Sequence, residues 1–128
     1  MNILELTDPA RQFARSIMDK YSEAGLRNLD MHMDTRQDQP VAELSDIWVN
    51  KEIQGSGVGT QIMREITQWA DQNGVTLYLS LGDKDQRRGT TSSGRLRKFY
   101  KTFSFRDNRG GGKRFDLSIY AQMYREPR

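Results

Sequence analysis

"NKEIQGSGVGTQIM", residues 50–63, puts Gly55, Gly57 and Gly59 within five consecutive positions and runs directly into an amphipathic helical pattern. Val58, Ile62, Met63, Ile66, Trp69 and Ala70 recur at helical spacing until Asn73-Gly74 stops the helix. Upstream, residues 41–49 read as an apolar strand with Ile47 and Val49 on one side. Downstream, Val75, Leu77, Leu79 and Leu81 alternate as a second strand. The order is strand, glycine loop, helix, strand, which predicts an α/β unit. A helix N-terminus exposes N–H groups and partial positive charge, so a glycine loop leading into it is a natural seat for phosphate, with no Cβ in the way.

Of two other phosphate-binding designs, one fails for want of a lysine and one fits poorly. A Walker loop needs Gly-Lys-Ser/Thr, and Gly59 is followed by Thr60 with no lysine. A dinucleotide loop needs G-x-G-x-x-G close behind its strand, whereas "GSGVG" is G-x-G-x-G and "NKEIQ" separates it from Val49.

The 128 residues suit one domain spanning residues 1–128. The absence of cysteine excludes disulfides, thiolate nucleophiles and cysteine-ligated zinc, and no metal site is expected. His32 is the single histidine; in "LDMHMD", where Leu29, Met31 and Met33 alternate with polar residues, it reads as an outward-facing strand side chain. No apolar run reaches the ~20 residues of a membrane span and no secretion signal opens the chain. The expectation is a cytoplasmic protein, monomeric or homodimeric.

Asp8-Pro9 signals a helix start, and Ala10, Phe13, Ala14, Ile17, Met18 and Tyr21 follow as its apolar face. Residues 29–34 read as a strand forming a hairpin with residues 41–49 across the turn "TRQDQP". After "GDKDQRRGTTSSGR", read as a mobile loop, a short helix carries Leu96, Phe99, Tyr100 and Phe103. "RDNRGGGKR" then separates two final strands, the second alternating through Phe115, Leu117, Ile119, Ala121 and Met123 until Pro127 ends it.

The segment Gln54-Gly55-Ser56-Gly57-Val58-Gly59 matches Gln/Arg-x-x-Gly-x-Gly/Ala, and "RLRKFYKTFSF" supplies a Tyr at the end of a short helix with Phe105 a few residues on. On these two blocks the chain resembles the GCN5-related N-acetyltransferase (GNAT) family over roughly residues 41–128, and the ending "MYREP" is similar to compact members encoded by tailed phages. The resemblance implies a mixed, mostly antiparallel sheet flanked by helices, with two strands splayed around the glycine loop. It implies acetyl-CoA as co-substrate, held by Ile47, Trp48 and Val49 along its pantetheine and by the amides of Gln54, Gly55, Ser56, Gly57, Val58, Gly59 and Thr60 at its pyrophosphate. It further implies an amine attacking the thioester, with the Val49 amide facing the oxyanion, Tyr100 protonating the thiolate, and Glu43, Asp46 or a water chain as base. The sequence departs from the family pattern at Ser104, where glycine is usual, and in lacking an early helix asparagine.

Charge is divided unevenly: residues 1–82 hold 7 basic and 12 acidic side chains, residues 83–128 hold 13 and 5. The acidic half suits a cationic acceptor such as lysine or a polyamine. The basic half, with "KDQRR" and "RGGGKRF", keeps a nucleic-acid-binding module open as an alternative, as is a non-catalytic protein that binds CoA or a host protein.

Overall fold

The computed structural model describes residues 8–50, 55–81, 93–114, 116–118 and 120–128. Asp8 begins the first helix, α1 (Pro9–Tyr21): its carboxylate accepts from the amides of Ala10 and Arg11, and Pro9 fills the first turn, where an N–H has no helical partner. The same carboxylate accepts from the Met33 amide at 3.1 Å, so one side chain caps α1 and ties it to the end of β1 (Leu26–Met33).

Strand β2 (Val41–Val49) returns antiparallel to β1. It is followed by α2 (Val58–Asn73), β3 (Thr76–Leu79), α3 (Ser93–Lys101), β4 (Arg106–Asp107), a 3-10 turn at Gly110–Gly112, and β5 (Met123–Arg125). The sheet order is β1-β2-β3-β5-β4. The β2–β3 pair is parallel and the others antiparallel, as the glycine unit requires when a helix connects two strands of one sheet.

The described helices cover one face of this sheet. Ile62, Met63, Ile66 and Ala70 of α2 are fully buried with Ala10, Ala14 and Ile17 of α1 against Leu29, Met31, Leu44, Leu77, Leu79 and Met123. Burying each large side chain here contributes ~1.5–3 kcal/mol. Phe13 and Trp69 stack with ring centroids 5.1 Å apart, joining α1 to α2. On the other face Val41, Tyr78 and Tyr124 lie with Leu117 and Ala121 in a smaller cluster.

That second cluster bears on the two later strands. All of Thr76–Leu79 is buried, because β3 is central and covered on both faces. The long final strand is not formed by the described residues before Met123. Leu117 and Ala121 belong to an irregular crossing segment, and pairing is confined to Met123–Arg125. Buried Asn108 explains the difference: its side chain accepts from the Arg114 amide at 2.7 Å and donates to the Ala121 carbonyl at 3.0 Å, taking backbone groups a ladder would have used. Phe115 and Ile119 lie outside the described residues.

Helices α2 and α3 end alike. Gly74 is left-handed at φ 65°, and the amide of Val75 reaches the Ala70 carbonyl at 2.8 Å. In α3, Ser104 is left-handed at φ 73°, its amide donates to Lys101 O at 3.1 Å, and the Phe105 amide donates to Tyr100 O at 3.3 Å. Both are Schellman closures, whose hydrophobic clasp joins the first and last residues of the motif. In α3 the clasp is Tyr100 against Phe105, centroids 5.6 Å apart, which accounts physically for that Tyr–Phe spacing. Arg125, 5% exposed, secures the turn from outside: its guanidinium donates to both Asp71 oxygens at 2.7 and 3.0 Å and to the Phe103 carbonyl at 2.8 Å.

A left-handed non-glycine residue costs ~1–2 kcal/mol, partly offset by the chain entropy that glycine adds to the unfolded state. Ser104→Gly is therefore expected to stabilise the protein by ~0.5 kcal/mol and Ser104→Val to destabilise it by ~1 kcal/mol or more, as read by urea denaturation midpoints.

Candidate functional site

Gly55 and Gly57 have φ of 88° and 92°, conformations that L side chains rarely adopt. A Cβ at either would meet nothing within 4 Å, so backbone handedness demands glycine here and the outer side of the loop is open. Gly57 is the N-cap of α2 and provides no side-chain cap; the first intrahelical bond runs from Gln61 N to Gly57 O at 3.0 Å. The amides of Val58, Gly59 and Thr60 thus belong to the turn that precedes any helical partner. Ser56 is exposed, and Val58 is half-buried against the core. At Gly59 a Cβ would make only ordinary contact, 3.9 Å from Phe99 Cζ, where α3 rests on the first turn of α2, so neither handedness nor space demands glycine at this position. Gln54, the first residue of the motif, lies outside the described residues.

Beside this loop β2 and β3 part. Their parallel ladder consists of Val41–Thr76, Ala42–Leu77 and Glu43–Tyr78. β3 ends one residue later, at Leu79, whereas β2 continues to Val49. The β1–β2 register shows the cause. Met31 faces Leu44 and Asp30 faces Asp46, so Ser45 is an extra residue in β2, with its hydroxyl donating to the Asp30 carbonyl at 3.1 Å. A bulge bends and twists its strand, and this one sits just past the last rung to β3.

The bulge also resets which side chains share a face. A regular strand would put Glu43 and Asp46 on opposite faces. Here both lie on the face away from the helices, Glu43 by Tyr78 and Asp46 accepting from Asn28 Nδ2 at 2.8 Å. Trp48 joins them, with the Arg27 guanidinium 5.8 Å from its ring centroid, while Ile47 and Val49 pack toward the helical core. The second bulge, at Arg27 in β1, keeps Leu26 opposite Val49.

Tyr100 occupies the helical side. It is 6% exposed, with its ring edge-on to Phe99 at 5.5 Å. Glu43 and Tyr100 therefore stand on opposite faces of the sheet, and Phe99 links Tyr100 to the start of α2.

The sequence reading treats His32 as an ordinary outward side chain and does not single out Tyr78. The structure brings both onto Glu43. His32 faces Glu43 across the β1–β2 ladder with Nε2 3.1 Å from Glu43 Oε2, and Tyr78 Oη donates to Asp34 Oδ2 at 3.1 Å and toward Glu43 Oε2 at 3.4 Å. Asp34 is buried. The Arg36 side chain and amide hold its carboxyl down at about 2, with Tyr78 assisting, although burial opposes them. Burial, then the charges of Glu43 and Asp34, push the Tyr78 phenol well above its usual range, so it remains a donor. A cavity of about 430 Å³ lined by Arg36, Gln37, Asp116, Leu117, Ser118 and Tyr120 adjoins this cluster through Arg36. Among the described residues no group of three or more His, Cys, Asp or Glu could hold a metal ion.

Much of the basic half is engaged internally. Arg97, Lys101 and Arg109 converge on Asp107 at 3.1, 3.2 and 3.4 Å; Arg114 pairs with Asp116 and Glu126; Arg125 pairs with Asp71. Except for Asp71, these carboxylates are already counted within this half, so its excess of cations stands.

A profile of the acetyltransferase (GNAT) family matches residues 19–105. A solved structure of a candidate N-acetyltransferase from Lactobacillus plantarum is similar at a TM-score of 0.42 with 19% identity, covering 77% of this chain and 59% of that one. This chain thus spans less than two thirds of that protein's length. No curated protein matches it.

Because the folded-state pKa of Asp34 is depressed from 3.8 to about 2, its ionised form stabilises the fold above 3.8, and that contribution is lost as pH falls toward about 2. Asp34→Asn is expected to lower stability at neutral pH and to show a smaller further loss across that acid window than the parent protein, measured by denaturant titration at each pH.

Proposed function

This chain belongs to the acetyltransferase (GNAT) family, and we propose that it moves an acetyl group from acetyl-CoA to a primary amine by direct attack on the thioester. The observation that carries this reading is the β2–α2–β3 unit: a parallel ladder that stops at Glu43–Tyr78, beside a left-handed glycine loop that starts α2 without a side-chain cap. Such a unit offers main-chain groups to an extended ligand between the strands and to an anion at the helix start.

In this reading the pyrophosphate of acetyl-CoA lies on the amides from Gly55 to Thr60, with Gln54 at their head. The pantetheine runs along Ile47, Trp48 and Val49, and the Val49 amide faces the developing oxyanion. Tyr100 and Glu43 occupy opposite faces, so a thioester lying in the gap would have an acid on one side and a base on the other. A phenol of ordinary pKa ~10 can donate to a thiolate whose conjugate acid is near ~8.5 without full ionisation. Glu43 receives the proton of the attacking amine. Asp46, brought to the same face by the bulge, favours a cationic acceptor such as a lysine side chain or a polyamine. The reaction needs no metal.

Two variants test the two halves of the site. With acetyl-CoA at a hundredfold excess over its Kd, the wild-type protein should gain ~2.7 kcal/mol of stability, and Gly57→Glu, strained at φ 92° and repelling phosphate, should gain none; an equal thermal shift in both would remove the loop from the binding site. Tyr100→Phe should lower kcat by ~10²-fold while the thermal shift persists, and undiminished turnover over a panel of amines would remove Tyr100 from the chemistry.

A further inference from the structure

A line of polar groups leads away from Glu43 across the open sheet face. Tyr78 Oη is 3.4 Å from Glu43 Oε2 and donates to Asp34 Oδ2 at 3.1 Å; the same Asp34 oxygen accepts from Arg36 Nη2 at 3.0 Å. Glu43 and the Arg36 guanidinium are therefore no more than three hydrogen-bond lengths apart. Arg36 Nε donates to the other Asp34 oxygen at 3.0 Å. A guanidinium is a planar fork of five N–H groups, so engaging Nε and one hydrogen of Nη2 leaves the Nη1–Nη2 edge directed away from Asp34. Buried Asp34 fixes the fork, and its second edge sits on a side chain that is 68% exposed, in position to receive another carboxylate.

Arg36 lines the cavity of about 430 Å³, and Leu117 in the same wall packs with Tyr78 in the cluster on Glu43's side of the sheet. Gln37 Nε2 donates to the Asp116 carbonyl, so the lining spans from the β1–β2 turn to the crossing segment. Ser118 Oγ accepts from the Tyr120 amide at 3.2 Å, which leaves its hydroxyl hydrogen to donate. Asp116 is the lining carboxylate, and Arg114 pairs with it. Tyr120, 71% exposed, adds an aromatic surface on which a hydrocarbon chain can lie.

The two ends of this face thus differ in chemistry, with the carboxylates of Glu43 and Asp46 at one and the donors of Arg36 and Ser118 at the other. We propose that the acceptor is a small amino acid of the lysine or ornithine kind, with its carboxylate on the second edge of the Arg36 fork and its terminal amine at Glu43. This rests on the reading above, in which Glu43 is the base. The interposed Tyr78 and Asp34 favour an amine carried several carbons from the carboxylate over an α-amine. With bonds of about 1.5 Å, the chain of a diamino acid is long enough to reach from one end to the other. A polyamine would satisfy only the acidic end and would set a cation against Arg36.

The test measures kcat and KM of the full chain with acetyl-CoA and four acceptors: L-lysine, L-lysinamide, cadaverine, which is lysine without its carboxylate, and a peptide containing lysine. L-lysine is expected to exceed cadaverine and L-lysinamide in kcat/KM by ~10-fold or more, mainly through KM, with the acetyl group on the terminal nitrogen by NMR of the product. Arg36→Lys keeps a cation beside Asp34 but lacks the second edge, and should raise KM for L-lysine far more than for cadaverine. Ser118→Ala should do the same by a smaller factor, in a side chain that leaves Asp34 paired. Cadaverine used as well as L-lysine, acetylation at the α-nitrogen, or equal losses on both amines in the two variants would overturn this inference and leave the acetyltransferase reading standing. Preference for the peptide over free L-lysine would overturn the assignment to a small molecule. Acetyl-CoA binding without acetylation of any amine would overturn the enzymatic reading and this inference together.

Discussion

One extra residue in β2 governs the geometry of the site. Ser45 has no opposite number in β1, and its hydroxyl on the Asp30 carbonyl holds the bulge in place. Two consequences follow from the same distortion. The strand bends where its ladder to β3 ends, leaving the two strands to diverge, and the side-chain phase slips so that Glu43 and Asp46 share one face while Ile47 and Val49 serve the core. A continuous parallel ladder would close the gap and direct Asp46 into the helices.

The helical side is built by a separate constraint, chain reversal after α3. A left-handed residue at position 104 is needed for the amides of 104 and 105 to return to the helix carbonyls, and the return presses Phe105 onto Tyr100. Serine accepts strain there that glycine would not, while buried Arg125 binds the Phe103 carbonyl and both oxygens of Asp71. Leaving either partner unmatched would bury an unpaired charge or carboxylate, so the aromatic cluster is held by α2 and β5 as well as by its own helix. The orientation of Tyr100 thus depends on residues far from it in sequence.

Charge shows how tertiary pairing modifies an inference from composition. The cations after residue 82 still outnumber the carboxylates there, but they are not evenly spread: Asp107 gathers three of them, and others pair with Asp71, Asp116 and Glu126. On the other side, the carboxylates of β1 and β2 concentrate on the open sheet face next to the parting strands. What composition reports as a division between halves of the chain becomes, in space, a division between a cross-braced edge and an acidic face.

By itself the sequence determined the elements whose signals are local. Asp8-Pro9 starts α1, Asn73-Gly74 ends α2, and the apolar spacing identifies both helices. These depend on neighbouring dihedrals and short-range hydrogen bonds, so a short window suffices to read them. Only the tertiary structure decided the bulge at Ser45, the meeting of His32 with Glu43, the burial of Tyr78 on a second face, and the irregular crossing that replaces a strand after Asn108. Each of these depends on register between distant segments, or on a side-chain amide competing with a ladder for backbone groups. A period-2 pattern is the same whether or not an extra residue interrupts its partner, so the alternation in "LDMHMD" and "VAELSDIWV" could place neither His32 nor Asp46 until the two strands were laid side by side.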